Sequence, residues 1–470
     1  MIAFFGLLSF LPSIAPGGLS EPEMQSAIDS DAISSNFMQE GRIVDLPYHL
    51  LQKASISIFG LSLYSIKLPS IIIGVLAGFF IVLLLNRWFK SDVAIVGSIL
   101  ALLSTAFLFL AGSGTPIIML VFWLALLLWL GSKIVGNDHT PAILTIGFVL
   151  ALGLSLYTPH LFYVAAGIAT AGILHPHLRF SLKQLKLYQT IICFGTFAIV
   201  IAPLVIGCFL NHEVIQELVW MRDFNFDNII HNISTAFAPF FSFSLAYDSV
   251  YLAPLFGLAN IVLVIIGILA SIGKLFTSRN TVVSLLTIFA ILVSGLNQNI
   301  AITIIIPITV LSAAGLESII EKWHSLFPEN PYAHFIGTTP IVVVVLMIVF
   351  SGLSHFVFGY HYTPRVAKNF SDDINIIQDN LEGGSVLIVD RDDDDIDFYR
   401  LLDKHGDFTV LTEIPKQTEN VKIAMLGHTT DREDLTLKQI ITSSKTRNSD
   451  RLYIYEKVIP AEKTEENKGE

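Results

Sequence analysis

The sequence predicts an α-helical polytopic membrane protein of about eleven transmembrane helices, followed by a small C-terminal extracytoplasmic α/β domain. Three observations predict it. Of the 470 residues, 53% are hydrophobic and only 14% are charged, which leaves more apolar surface than a soluble chain can hide from water. The apolar residues fall in long uncharged runs, the pattern of helices that cross a bilayer. From about Tyr360 the composition turns charged, and short strand-like and helix-like segments alternate.

The apolar runs centre on residues 2–15, 69–86, 93–111, 116–131, 141–156, 161–174, 190–210, 250–271, 281–296, 300–316 and 336–354. The first is short, carries Pro12 and has no basic residue before it, so it reads as a truncated first helix rather than a cleaved signal. Lysine and arginine fall in alternate loops: Arg87 and Lys90; Lys133; Arg179, Lys183 and Lys186; Lys274 and Arg279; Lys322. Excess basic residues mark cytoplasmic loops. The other set, 16–66, 112–115, 157–160, 211–249 and 297–299, is then outside, as is everything after residue 355. The parity requires residues 1–15 to cross. The expected location is the plasma or inner membrane, with a membrane domain over 1–358, long outer loops at 16–66 and 211–249, a soluble domain over 359–458 and a disordered tail over 459–470.

In the soluble domain, SVLIVD, DFTVLT, KIAML and RLYIYEKV read as strands. DFYRLLDKHG reads as a helix ending at Gly406, and LTLKQIITS as a second helix. The acidic run Asp390–Asp397 lacks the spacing and glycine of a calcium loop and reads as a solvated lead into a helix.

Several functions are disfavoured by composition. A net charge of -11 speaks against a nucleic-acid partner. Cys193 and Cys208 share one apolar run, about 22 Å apart if helical, too far for a disulfide. No metal-type cluster of cysteine and histidine occurs in the sequence, and no residue is assigned to a metal. The span centres hold almost no ionisable side chain, which weakens an ion-coupled transporter.

Polar chemistry is therefore expected on the outer surface. Ser20-Glu21-Pro22-Glu23 fits a capping box, and Met24, Ala27, Ile28 and Ala32 follow at helical spacing. On these residues alone the stretch reads as a short amphipathic helix on the membrane, with solvated acids. Asp45, before Pro47, is either a carboxylate for chemistry or a turn residue. His49 is either a phosphate or metal ligand or a structural histidine. Lys53, Lys67 and Arg222 are outer-side cations that either pair with a lipid phosphate or snorkel to headgroups. Arg222 stands among Trp220, Phe224 and Phe226, a segment suited to the headgroup level. Tyr48 neighbours His49, and His160 ends the outer turn Tyr157-Thr158-Pro159-His160. Asn232-Ile233-Ser234 is a glycosylation sequon.

Taken in order, SEPEM, DLPYHLLQK, IFGLSLYSIKLPS, SLYTPHLFY and WHSLFPENPYAHF resemble the GT-C type membrane glycosyltransferases that use polyprenyl-phosphate sugars. These include the protein mannosyltransferases and the aminoarabinose transferase of lipid A. The resemblance covers most of residues 1–355. It implies a polyprenyl-phosphate-linked sugar donor, a protein, lipid or glycan acceptor, and membrane lipid around the site. It implies a first-loop carboxylate as general base, with Glu21 first and Glu23 and Asp45 as alternates. It also implies Ser20, Tyr48, His49, Lys53, Lys67, His160 and Arg222 as substrate-binding residues, and a divalent metal ion as the one candidate cofactor. The resembling proteins carry Asp-Glu where this chain has Ser20-Glu21. A non-catalytic lipid-sugar binding or assembly protein, or a lipid-sugar flippase, is the alternative.

Overall fold

The computed structural model describes residues 2–457 apart from 15–16, 35, 136–140, 220–228, 239–243, 248–249, 253–257, 275, 296–301, 327–330, 368, 382, 391–394, 415–421, 428, 431, 433 and 443–450. Arg222, the aromatic residues beside it, half of the acidic run and the C-terminal tail lie outside the described residues. The first half contains helices α1 Ile2–Leu8, α2 Glu21–Asp31, α3 Leu46–Phe59, α4 Leu63–Trp88, α5 Ser91–Leu102, α6 Thr105–Gly112, α7 Ile118–Val135, α8 Ala142–Ser155, α9 Leu161–Leu174 and α10 Pro176–Lys183. The second half contains α11 Leu187–Leu210, α12 Glu213–Val219, α13 Ile229–Phe237, α14 Leu258–Ile272, α15 Ser278–Ser294, α16 Ile305–Leu326, α17 Pro331–Tyr362, α18 Pro364–Ala367, α19 Asp373–Asn380 and α20 Ile396–His405.

Among the described residues each apolar run of the sequence overlaps an apolar helix, the run 93–111 being divided between α5 and α6. Among the described residues five helices are long and apolar enough to cross a membrane, and the pair α5 and α6, bent by 60°, makes a sixth span if counted as one. The remaining runs form shorter apolar helices, of which the first breaks at Pro12 into a single 3-10 turn. Their common core, from Phe5 to Phe370, is built almost entirely of aliphatic and aromatic side chains. Helices α14 and α16 approach most closely at Gly267 and Gly315, where a Cβ would meet the facing carbonyls of Leu311 and Leu263 at 1.9 and 2.0 Å. Small residues permit such backbone approach between apolar helices.

The connections sort to two ends of the bundle. At one end the first loop meets the turn at Gly114, the turn Tyr157–His160 and α12: Asp45 N–H donates to the Tyr157 carbonyl, and His160 N–H to that of Leu218. At the other end Arg279 donates to the Trp88 carbonyl, Lys90 pairs with Glu321, and His175 Nε2 meets the Phe276 carbonyl. The first end gathers loops poor in lysine and arginine; the second gathers the basic ones.

The C-terminal region holds a five-stranded sheet in the order β6 (Thr409–Leu411), β5 (Val386–Ile388), β7 (Ile423–Leu426), β9 (Arg451–Lys457), β8 (Leu435–Thr442), numbered after β1 (Leu19–Ser20), β2 (Ser244–Tyr247), β3 (Val250–Leu252) and β4 (Phe370–Ser371). Strand β5 runs parallel to β6 and β7, with α20 as the crossover to β6, while β9 is antiparallel to both of its neighbours. The segment expected as a helix, LTLKQIITS, is instead strand β8. Eight residues cannot fix a period. Its β-branched Thr436, Ile440, Ile441 and Thr442 suit a strand, and it pairs along the length of β9, where Lys438 meets Glu456.

This region does not stand apart from the membrane part. Helix α17 runs on to Tyr362, past the expected boundary. Strand β1, just before α2, pairs antiparallel with β4. One hydrophobic core joins Leu19, Met24, Ala27, Ile56 and Leu61 of the first loop to Ile377, Leu387, Phe398 and Leu402. Gln378 donates to the Leu61 carbonyl at 2.6 Å, and Asp31 takes Lys404 at 2.6 Å and His405 at 3.3 Å. Helix α2 is therefore not spread on a membrane surface: its apolar stripe is covered by α3 and α20.

Truncating Phe398, which is 1% exposed, costs about 3–5 kcal/mol. Because the core is shared, Phe398→Ala is expected to raise hydrogen exchange in residues 19–31 together with 373–457. Exchange rising in 373–457 alone would mean two independent cores.

Candidate functional site

The site begins where the chain turns into α2. Ser20 is extended (ψ 160°) at the N-cap, Pro22 occupies the first turn, where its missing N–H is not needed, and Glu23 stands at the third position. Glu23 reaches back so that its Oε2 accepts from Ser20 N–H at 2.8 Å and from Ser20 Oγ at 3.1 Å. Its Oε1 accepts from Gly114 N–H at 2.7 Å and faces Lys67 Nζ at 2.9 Å. Glu23 and Lys67 are each 1% exposed. A buried carboxylate is tolerable only when paired and hydrogen-bonded, and here two backbone amides, a hydroxyl and an ammonium meet it. The pair thus joins α2, α4 and the turn between α6 and α7.

Lys67 is fixed by the local chemistry of α4. Pro69 has no N–H, which leaves the Ser65 carbonyl without its helical donor; Ser55 Oγ of α3 supplies one at 2.7 Å. Gln52 Nε2 donates to the carbonyls of Ile66 and Gly114, both at 2.9 Å, and its Oε1 accepts from Ser26 and Ser30 of α2. Tyr48, fully buried, shares a 2.7 Å bond with Ser70 Oγ, which donates to the Thr115 carbonyl at 3.1 Å. At Gly114 a Cβ would meet Ile66 Cγ2 at 2.8 Å, so a side chain there would push the turn off both Glu23 and Gln52.

His49 Nδ1 lies 2.8 Å from Ser30 Oγ. The single Ser30 proton goes to Gln52, so His49 Nδ1 carries the proton in that bond. Burial pushes the His49 pKa down to about 4, which keeps the ring neutral. Lys53 Nζ donates to the carbonyls of Asp31 and Ile33, capping the end of α2, where a cation also complements the helix dipole.

A second cluster lies where the first loop meets the turn before α9. Asp45 has a left-handed backbone (φ 50°) and His160 likewise (φ 69°); such conformations are uncommon outside glycine and gather at functional sites. Asp45 is 7% exposed, and its Oδ1 has no hydrogen-bond partner among the described residues. Burial pushes its pKa up to about 8, the Glu217 carboxylate of α12 adding to the rise and Thr158 opposing it. Burial also lowers His160 to about 4.

The residues singled out in the sequence therefore divide. Ser20, Glu23 and Lys67 form one centre. Tyr48 and His49 line the seam beside it, and Asp45 and His160 form the second cluster. Glu21 is exposed at the first position of α2, and Lys53 is taken up at its end. Gly114, Gln52, Ser26, Ser30 and Glu217 complete the arrangement but carry no sequence signal; glycines, serines and a glutamine in a helical stretch show no chemistry until their partners are known. Among the described residues no group of three or more histidine, cysteine, aspartate and glutamate side chains gathers. Around Glu23 the oxygens face N–H donors and an ammonium, a donor set that does not fit a divalent cation.

Comparison with known proteins agrees with this architecture. A family profile described as dolichyl-phosphate-mannose-protein mannosyltransferase matches residues 47–206, from α3 to the last turns of α11. The structure of ArnT from Cupriavidus metallidurans bound to undecaprenyl phosphate is similar in fold, with TM-score 0.50 and 11% identity over 97% of each chain; its apo form matches equally. The oligosaccharyltransferase of Archaeoglobus fulgidus matches at TM-score 0.49 and 12% identity, over 87% of this chain and 63% of its own. No curated protein matches the chain. In fold and in the profile it matches, the chain resembles GT-C type membrane glycosyltransferases.

Two outcomes follow from the geometry. Glu23→Gln or Lys67→Met alone is expected to cost about 3–5 kcal/mol, since each strands the other group in a dry site. Combined, they cost less than the sum of the two; additive losses in thermal unfolding would show that the pair is uncoupled. For Asp45, between about pH 4, its ordinary value, and about pH 8, the native state keeps a proton that the unfolded chain has released. Stability from this group is then lost as pH rises through that window. Thermal unfolding at pH 5, 7 and 9 is expected to show Asp45→Asn gaining on the wild type as pH rises; a constant offset would place Asp45 back among ordinary carboxylates.

Proposed function

We propose that the chain is a glycosyltransferase that moves a sugar from a polyprenyl-phosphate carrier to an acceptor at the outer face of the membrane. The observation that carries the proposal is the buried Glu23–Lys67 pair, which fixes the first outer loop to the end of a membrane helix. It occurs on a fold shared with a protein that binds undecaprenyl phosphate. A phosphate leaving group needs a positive charge to offset it; Glu23 already neutralises Lys67, so the pair holds the loop in place and Arg222 is assigned to the phosphate.

In this reading all eleven apolar helices cross the plasma or inner membrane. The end that gathers the first loop, α12 and the C-terminal sheet faces outward, as the positive-inside rule requires. An acceptor oxygen or nitrogen attacks the anomeric carbon, the carbon–oxygen bond to phosphate breaks, and the polyprenyl phosphate leaves with the bonding electrons. The acceptor proton goes to a carboxylate. Glu23 is a poor choice, since its oxygens are met by four donors. Glu21 is exposed two residues earlier and is the proposed base. Asp45, with a pKa of about 8, holds its proton at neutral pH. It suits hydrogen-bond donation to substrate better than proton abstraction. His49 and Lys53 keep α2 and α3 in register, Tyr48 ties α3 to α4, and His160 and Arg222 are assigned to substrate.

A second reading has its own observation: Ser20 stands at the position of the expected first acid, and Glu23 is spent on structure. It describes a protein that binds the lipid-linked sugar without transferring it.

Membranes carrying the protein, supplied with labelled polyprenyl-phosphate sugars, separate the two. Glu21→Gln is expected to lower transfer by about 10²–10⁴-fold with carrier binding unchanged. Transfer at the wild-type rate in that variant would remove Glu21 from the role. Carrier binding with no transfer by the wild type, for every sugar of the panel, would establish the second reading.

A further inference from the structure

At the end of the bundle opposite Glu23, helices α4, α7, α8, α9, α10, α11 and α15 line an open chamber of about 860 Å³. That is within the size range of small-molecule sites. Its walls are apolar, with Leu127, Phe148, Leu152 and Ile168 among them. Its rim is not. Arg87 closes it from the last turn of α4, and Arg179 and Lys183 from α10, the short helix PHLRFSLK that packs against α7 and α9. All three are exposed, and among the described residues none has a carboxylate within salt-bridge distance. The fourth cation of the lining, Arg279, differs: it is paired with Glu317 at 3.6 Å.

The position of the chamber decides what can enter. Lys67 and Arg87 belong to the same helix, twenty residues apart, which at about 1.5 Å per residue separates them by roughly 30 Å. That is the thickness of the bilayer's hydrocarbon layer. The chamber is thus reached from the leaflet opposite the first-loop site, by a molecule with an apolar body and an anionic head. Cations at helix ends often merely snorkel along apolar surface. Here three uncompensated ones border a cavity deep enough to take acyl chain.

We infer that the chamber binds an anionic phospholipid of that leaflet, with its acyl chains among α7, α8 and α9 and its headgroup phosphate held by Arg87, Arg179 and Lys183. This goes beyond sugar transfer and does not depend on it; it requires only that the bundle spans a membrane. A lipid bound there would brace α10 and the ends of α4 and α11.

The test uses the full chain in detergent, stripped of lipid, with phosphatidylglycerol and phosphatidylcholine added back and bound lipid counted by native mass spectrometry. Wild type is expected to prefer phosphatidylglycerol about tenfold or more, since each basic group near an anionic head adds to binding. Replacing Arg87, Arg179 and Lys183 together with Gln is expected to abolish the preference, lowering phosphatidylglycerol binding about tenfold to the level of phosphatidylcholine, whose choline offsets its own phosphate. Ala169→Phe, which fills the chamber from α9, is expected to lower binding of both lipids. An unchanged preference in the triple variant, or unchanged phosphatidylglycerol binding in Ala169→Phe, would overturn the inference. So would displacement of phosphatidylglycerol by polyprenyl phosphate at equal concentration, which would assign the chamber to the carrier.

Discussion

The buried ion pair between Glu23 and Lys67 is the constraint around which the outer half of this protein is arranged. Two opposite charges withdrawn from water recover their desolvation cost only with close geometry and further hydrogen bonds. Each requirement reaches into a different part of the chain. Ser20 must stand extended before α2, so β1 runs along β4 and brings the C-terminal sheet onto the loop. The turn after α6 must present an amide without a side chain in the way, so Gly114 is placed against Ile66. Lys67 must be held within α4 where Pro69 interrupts the helical bonding, so α3 supplies Ser55 and Gln52. A defect in any of these leaves a charge stranded in an apolar interior.

That arrangement changes what the first loop can do chemically. Glu23, an alternate to Glu21 as the expected base, is the carboxylate most thoroughly engaged. The carboxylates left for chemistry differ sharply in environment: Glu21 is in water, and Asp45 is buried with an oxygen unmatched. In the proposed reading this division gives Glu21 the part of proton acceptor and Asp45 that of hydrogen-bond donor. The C-terminal sheet region is part of the scaffold for this site, because it buries the apolar face of the helix on which both glutamates stand.

Much of this was legible in the sequence, for identifiable reasons. Hydropathy locates the apolar helices because a bilayer imposes length and composition at once. The alternation of basic loops anticipates which connections meet at each end. The capping box at Ser20–Glu23 was visible because its chemistry is local, closing within three residues. What was hidden is long-range: the partners of Glu23 lie forty-four and ninety-one residues away, at Lys67 and Gly114. Only the fold brings them together. The reversal of LTLKQIITS from helix to strand has the same origin, since β9 supplies the pairing that local pattern could not reveal. The joint core between the loop and α20 was invisible because its residues look like ordinary amphipathic helix on both sides.

The ionisation of Glu23 tests the central claim most directly. Infrared difference spectroscopy between the wild type and Glu23→Gln at neutral pH reports the state of that one side chain. If the pair organises the loop, the difference contains a lost carboxylate band and no protonated carbonyl. A protonated carbonyl band lost on substitution would mean that Glu23 is neutral and that no ion pair joins the loop to α4.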